Sequence, residues 1–171
     1  LVTDSPKYIK SFSVVNEFQA IQKLCQKGDF KFSLNNNHIF DNDDFDETIR
    51  NLKELKLNYF GAGDNLSEAS KPLFFDNEKV VVLNFGWSVV GCKYASKASR
   101  GVNPMTENYV IAEVKKYIHK KPDYKIFTFF HWDYELEKYP LPKQRSLSHK
   151  LIDIGVELVI GTHSHRVQGF E

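Results

Sequence analysis

The sequence predicts an α/β fold of layered sheets and helices, and two observations predict it. Short apolar runs alternate with stretches of helical periodicity, the order that builds such layers. Asparagines and histidines cluster just past the ends of those runs, where open α/β sheets hold their ligands.

At 171 residues the chain is expected to form a single domain over residues 1–171, large enough to bury a core. It starts at Leu1 rather than a methionine and stops at Glu171, so the expected domain is incomplete, truncated at both ends.

The elements follow in order. Val14, Phe18, Ile21 and Cys25 share one face of a first helix. Phe30 to Leu34 is a strand. Phe45, Ile49 and Leu52 mark a second helix, with Asp43, Asp44, Asp46 and Glu47 at its positive end. Gly61-Ala62-Gly63 lacks the Gly-Lys-Ser/Thr ending of a phosphate loop and is read as a flexible turn. Val80 to Phe85 is a strand, and Gly86 to Asn103, rich in Gly, Ser and Lys, a long loop. Thr106 is placed to cap a third helix, where Val110, Val114 and Ile118 recur at four-residue steps. Ile126 to Phe130 is a strand. Leu147, Leu151 and Ile154 form the stripe of a fourth helix, which Gly155 stops. Glu157 to Ile160 closes the series. Continuous apolar runs of this kind predict strands buried on both faces.

Composition removes several function classes. The net charge is +1 and basic residues are scattered, which argues against a nucleic-acid partner. No run is long or apolar enough to span a bilayer and no signal peptide is present, so membrane attachment is expected only through a segment outside this chain. Cys25 and Cys92 fit no metal spacing and are read as buried free thiols rather than a disulfide. Ser164 has no Gly-x-Ser-x-Gly setting, so a serine-hydrolase elbow is unsupported.

The chemistry sits at three run ends. Phe30 to Leu34 leads into Asn35, Asn36, Asn37 and His38; Ile126 to Phe130 into His131, Trp132 and Asp133; Leu158 to Ile160 into Gly161, Thr162, His163, Ser164 and His165. On extended backbone, residues two apart point to the same side, so His163 and His165 are expected to aim into one cavity, with Gly161 giving the turn its freedom. Neutral imidazole is a common ligand for Zn, Fe and Mn, and an asparagine carbonyl can add an oxygen. Taken singly, each residue has an ordinary reading. His38 suits a polar turn, His131 a core histidine, His119 and His149 a solvated surface, and Asp41, Asp43, Asp44 and Asp46 a helix start. The case for a metal rests on the three ends together.

Those segments carry a resemblance. SLNNNHIFD, GAGDNLSEASKP, FFHWDYE and LIDIGVELVIGTHSHRVQGFE resemble, in order and spacing, the CapA family of bacterial capsule (poly-γ-glutamate) synthesis proteins, part of the calcineurin-like metallophosphatase superfamily. The resemblance covers most of the chain from about Phe30 onward. It implies a metallophosphatase-like sandwich with sheets stacked between helices. It implies divalent metal ions (Mn, Fe or Zn, two of them in the full-length protein) held by Asn37, His131, His163 and His165. His38 would be the catalytic residue, acting on the substrate phosphate or its leaving group. Gln144, Gln168 and Glu171 fall on polar positions common in the family, without an assigned role.

Three departures qualify the match. The superfamily's first aspartate motifs should lie upstream of Leu1, and Asp4, in Val-Thr-Asp-Ser-Pro, does not replace them. The usual His-Trp-Gly reads His131-Trp132-Asp133, which brings a carboxylate beside the site as an extra ligand or a disturbance. The closing Gly-His-His-Pro-His reads Gly161-Thr162-His163-Ser164-His165. A two-metal site without carboxylates has no anionic bridge, so the chain as it stands is expected to hold one ion weakly or none.

The expected function is thus capsule biosynthesis on a metal-dependent phosphoesterase scaffold, with an anionic substrate or polymer and the capsule synthesis machinery as partners. The expected location is the cell surface, membrane-anchored as in the family. The alternative is a non-catalytic surface component that binds or assembles an anionic polymer, with Lys143, Arg145 and Arg166 gripping its carboxylates.

Overall fold

The computed structural model describes residues 17–41 and 45–171. Val14, Asp4, Asp43 and Asp44, used in the sequence reading, lie outside them. The fold is α/β, as the alternation of patterns predicts. The strands are β1 (Lys31–Ser33), β2 (Asn58–Phe60), β3 (Ala62–Gly63), β4 (Leu73–Phe75), β5 (Val80–Gly86), β6 (Gly101–Val102), β7 (Lys125–His131) and β8 (Val156–Thr162). The helices are α1 (Phe18–Cys25), α2 (Phe45–Glu54), α3 (Leu66–Ala69), α4 (Glu107–Lys120) and α5 (Pro142–Asp153).

The main sheet runs β4-β5-β7-β8. β5, β7 and β8 are parallel, and β4 is antiparallel to β5. Parallel strands need long crossovers, which here contain α4 and α5. Register places Gly86 beside His131 and His131 beside Thr162, so β5, β7 and β8 end on one line. A smaller parallel sheet pairs β1 with β2, and β3 pairs antiparallel with β6.

Two cores hold these layers. Val110 and Val114 of α4 and Leu147 and Leu151 of α5 pack on Val81, Leu83, Phe85, Ile126 and Phe130 of the main sheet. Phe130 stacks on Trp132 with ring centroids 4.0 Å apart, and on Phe85 at 5.4 Å. Burial of each such ring contributes on the order of 2–3 kcal/mol. A second core joins Phe45 and Leu52 of α2 to Leu34, Ala62, Cys92 and Val102.

Four expectations are corrected. The strands are not buried on both faces: β8 is a sheet edge with Leu158 41% exposed, and Val80, Val82, Phe127 and Phe129 face an apolar groove across from Lys31, Ser33 and Phe60. Ala62-Gly63 is not a flexible turn but strand β3, and Gly61 before it (φ 96°) takes the left-handed backbone. A side chain at Gly61 would collide with Asn84. The predicted loop 86–103 contains a 3-10 turn, Ser88–Val90, and strand β6. Cys92 is buried, but Cys25 is only half-buried; both are free thiols.

The helix ends follow local chemistry. Pro142 opens α5, where its fixed φ suits the first turn. Gly155 (φ 109°) ends that helix as predicted. Thr106 occupies the cap position of α4, but its side chain makes no capping bond.

Candidate metal centre

β1, β7 and β8 deliver three remote segments to one cavity of about 480 Å³. Asn35, Asn36, His131, Thr162, His163 and His165 are on its wall. From Asn35 a chain of buried amides runs back into the fold. Asn35 Nδ2 donates to Asn103 O at 3.2 Å, Asn103 Nδ2 to Asn84 O at 2.7 Å, and Asn84 Nδ2 to Ser33 Oγ at 3.1 Å. Tyr109 donates its hydroxyl to Asn103 Oδ1 at 2.9 Å. The end of β1 is thereby tied to β5 through groups that cannot reach water, where a lost partner costs about 1–3 kcal/mol.

Past β1 the chain turns on itself. The His38 N–H donates to Asn36 Oδ1 at 2.7 Å, an Asx-type turn that fixes Asn37 and His38 in place. Asn37 Oδ1 then lies 2.8 Å from His131 Nε2, across 94 positions of sequence. His38 Nδ1 stands 2.8 Å from Asp41 Oδ2. That carboxylate accepts from Nδ1–H and leaves the other ring nitrogen free.

His131 closes β7 and is 8% exposed. Burial, and then the neighbouring His163, His38 and His165, lower its pKa to about 4. The ring is therefore neutral at physiological pH, the form that offers a lone pair. His163 stands beside it, ring centroids 4.7 Å apart, and is also lowered, chiefly by burial. His165 is exposed on the rim, 6.1 Å from His163.

The route to this grouping differs from the sequence reading in two ways. His163 (φ 93°) and His165 (φ 54°) are not on extended backbone; both take the left-handed region, at about 1 kcal/mol or more each. A tight turn, not strand alternation, brings their rings together. Gly161 supplies no turn freedom: it lies within β8, and a Cβ there would meet Trp132 Nε1 at 2.5 Å. Its role is to let Trp132 pack against the strand.

Asp133 is not on the cavity wall, and its negative charge partly opposes the lowering of the His163 pKa. Its carboxylate is fully buried and accepts from Tyr134 N at 3.0 Å and Leu141 N at 3.2 Å. It pins the connection from β7 to α5. Elsewhere, Arg145 holds Glu171 through two bonds of 2.6 Å, Gln168 donates to Glu137 O, Gln144 is buried in α5, and His119 and His149 are exposed.

The donor chemistry fits one divalent ion in part. Asn37 Oδ1 and His131 Nε2 converge as neighbouring ligand atoms, with His163 next to them. Among the described residues, no three or more His, Cys, Asp or Glu side chains come together as a cation site. A two-ion centre would need carboxylates that this grouping does not contain.

Residues 1–171 match the family described as bacterial capsule synthesis protein PGA_cap. The chain belongs to this family. It is 24% identical over 180 residues to a protein of Bacillus anthracis named capsule biosynthesis protein CapA, which covers 100% of this chain and 44% of that protein. It is 27% identical over 141 residues to the PGA biosynthesis protein CapA of Bacillus subtilis (strain 168), over 80% of this chain and 37% of that protein. The chain thus spans less than half the length of these curated relatives.

The sequence assigns no role to two residues of the candidate site. Asp41, the aspartate that follows Asn-Asn-His in the matched segment and otherwise reads as a helix start, pairs with His38. Thr162 was seen only as the residue before His163, and nothing in its local sequence shows that it faces His131.

Proposed function

We propose that this chain is the cation-binding part of a capsule biosynthesis protein of the poly-γ-glutamate type, working as a metal-dependent phosphoesterase. The supporting observation is the meeting of Asn37 and His131, remote in sequence, at 2.8 Å beside His163, with the His38–Asp41 pair on the same turn. The relatives' names, capsule and PGA biosynthesis, support the broader setting.

Asn37, His131, His163 and His165 would hold a divalent ion of the Mn, Fe or Zn type. Bound there, the ion supplies Lewis-acid activation of a water and offsets phosphate charge. His38, oriented by Asp41 through Nδ1–H, would act in its imidazolium form, donating Nε2–H to a phosphate oxygen or giving that proton to the leaving oxygen. The substrate is an anionic phosphoester, and the partners are the capsule synthesis machinery. The location is the cell surface, through an anchor outside this chain; among the described residues no helix is long and apolar enough to cross a membrane.

The test uses the intact protein, stripped with chelator and reloaded with Mn or Zn, on p-nitrophenyl phosphate. Wild type is expected to turn over only when loaded, and His38→Ala to lose about 100-fold or more. A His38→Ala protein as fast as wild type would remove the assignment.

A second reading has one observation in its favour. Arg166 is exposed on the cavity wall, where it can grip a polymer carboxylate. Arg145 is engaged by Glu171, which leaves Lys143 and Arg166 for that role. Polymer binding that survives chelation would favour this non-catalytic component.

A further inference from the structure

His131 and Thr162 sit side by side in the register of β7 and β8. Thr162 Oγ1 donates to the Phe130 carbonyl at 2.9 Å and stands 3.3 Å from His131 Nδ1. A hydroxyl has one proton and two lone pairs. With that proton engaged by Phe130 O, Thr162 can offer His131 only a lone pair. The complementary ring has its hydrogen on Nδ1.

We propose that Thr162 is a positioning residue that holds His131 in the Nδ1–H form, turning the bare Nε2 lone pair toward Asn37. The relay is Nδ1–H to Thr162 Oγ1, and Thr162 O–H to Phe130 O. It fixes both the plane of the ring and which nitrogen is free. At the far side, Nε2 meets Asn37 Oδ1 at 2.8 Å, so two lone-pair atoms face each other. Such a pair is stable with a cation against both atoms, or with the asparagine amide turned to present its N–H₂. A ring fixed through its second nitrogen by a neighbouring acceptor is the general condition for an imidazole ligand. The opposite form, with hydrogen on Nε2, would donate to Asn37 and have no lone pair for an ion. The inference rests on the metal reading for its purpose, but its first measurement does not need a metal.

The test is nitrogen NMR of the intact protein, labelled with ¹⁵N-histidine, chelator-treated and held near pH 7.5. Wild type and Thr162→Ser are expected to show the His131 signals of an Nδ1–H ring, assigned by their absence in His131→Asn. Thr162→Val, of nearly the same shape but without the hydroxyl, is expected to move the ring toward the Nε2–H form. Thr162→Ala provides a second hydroxyl-free protein should the valine variant not fold. An Nε2–H ring in wild type, or no change in the hydroxyl-free proteins, overturns the proposal. Calorimetric titration with Zn then reads the consequence: affinity falls about 10–100-fold in Thr162→Val and is kept in Thr162→Ser. An Nδ1–H ring that depends on Thr162 in a protein that takes up no metal confirms the hydroxyl's role and removes the phosphoesterase reading instead.

Discussion

Acidification is predicted to destabilise the protein through His131. The ring titrates near 6.5 when exposed in the unfolded chain and near 4 in the fold, because burial and neighbouring imidazoles disfavour its charge. Between those values the unfolded chain binds a proton that the native one refuses. Stability from this group is therefore fully present above about pH 6.5 and is lost as pH falls toward 4. Going from pH 7 to pH 5 should cost about 2 kcal/mol from this residue alone. His163 shifts in the same direction and adds to the loss. Glu171, held low at about 2 by Arg145, contributes its change only at more acid pH. The assay is urea unfolding of metal-free protein at pH 7 and pH 5, for wild type and His131→Asn. The asparagine variant cannot titrate, so its stability should change about 2 kcal/mol less between the two pH values. Equal pH dependence in the two proteins would refute the claim that His131 is held neutral by its surroundings.

Three further outcomes follow from the same geometry. Asp133→Ala should cost about 2–3 kcal/mol in thermal or urea unfolding, because two backbone N–H groups lose their buried acceptor. Asp133→Gly should cost less, since Asp133 (φ 74°) sits in the left-handed region that glycine prefers. Gly161→Ala should destabilise by about 1–3 kcal/mol and shift the Trp132 fluorescence, because the new methyl group meets the indole. A thiol reagent near pH 8 should label Cys25 in the native protein and spare Cys92 until unfolding, since burial raises the Cys92 pKa to about 12. Equal labelling of both thiols would contradict that burial.

Much of the architecture could be read from periodicity. The stripe Val110, Val114 and Ile118 and the run Ile126 to Phe130 describe elements whose side-chain pattern is set by the local backbone repeat of a helix or strand, 3.6 or 2 residues. The short strands β2, β3, β4 and β6 were not legible, because two or three residues are too few to show a period. α3 did carry a readable signal: Asn65 caps it by accepting from Glu68 N at 3.1 Å, and Glu68 answers by accepting from Asp64 N.

For the site, the sequence by itself determined which chemical groups stand at the ends of the apolar runs: Asn37, His38, His131, His163 and His165. It did so because a strand's end and the residues beyond it are local properties of the chain. Only the tertiary structure decided that Asn37 meets His131, that Asp133 pins a loop, that His163 and His165 converge through left-handed backbone, and that Thr162 faces Nδ1 of His131. These depend on strand register and on contacts across up to 94 positions, and no local pattern of residues encodes a distance of that kind.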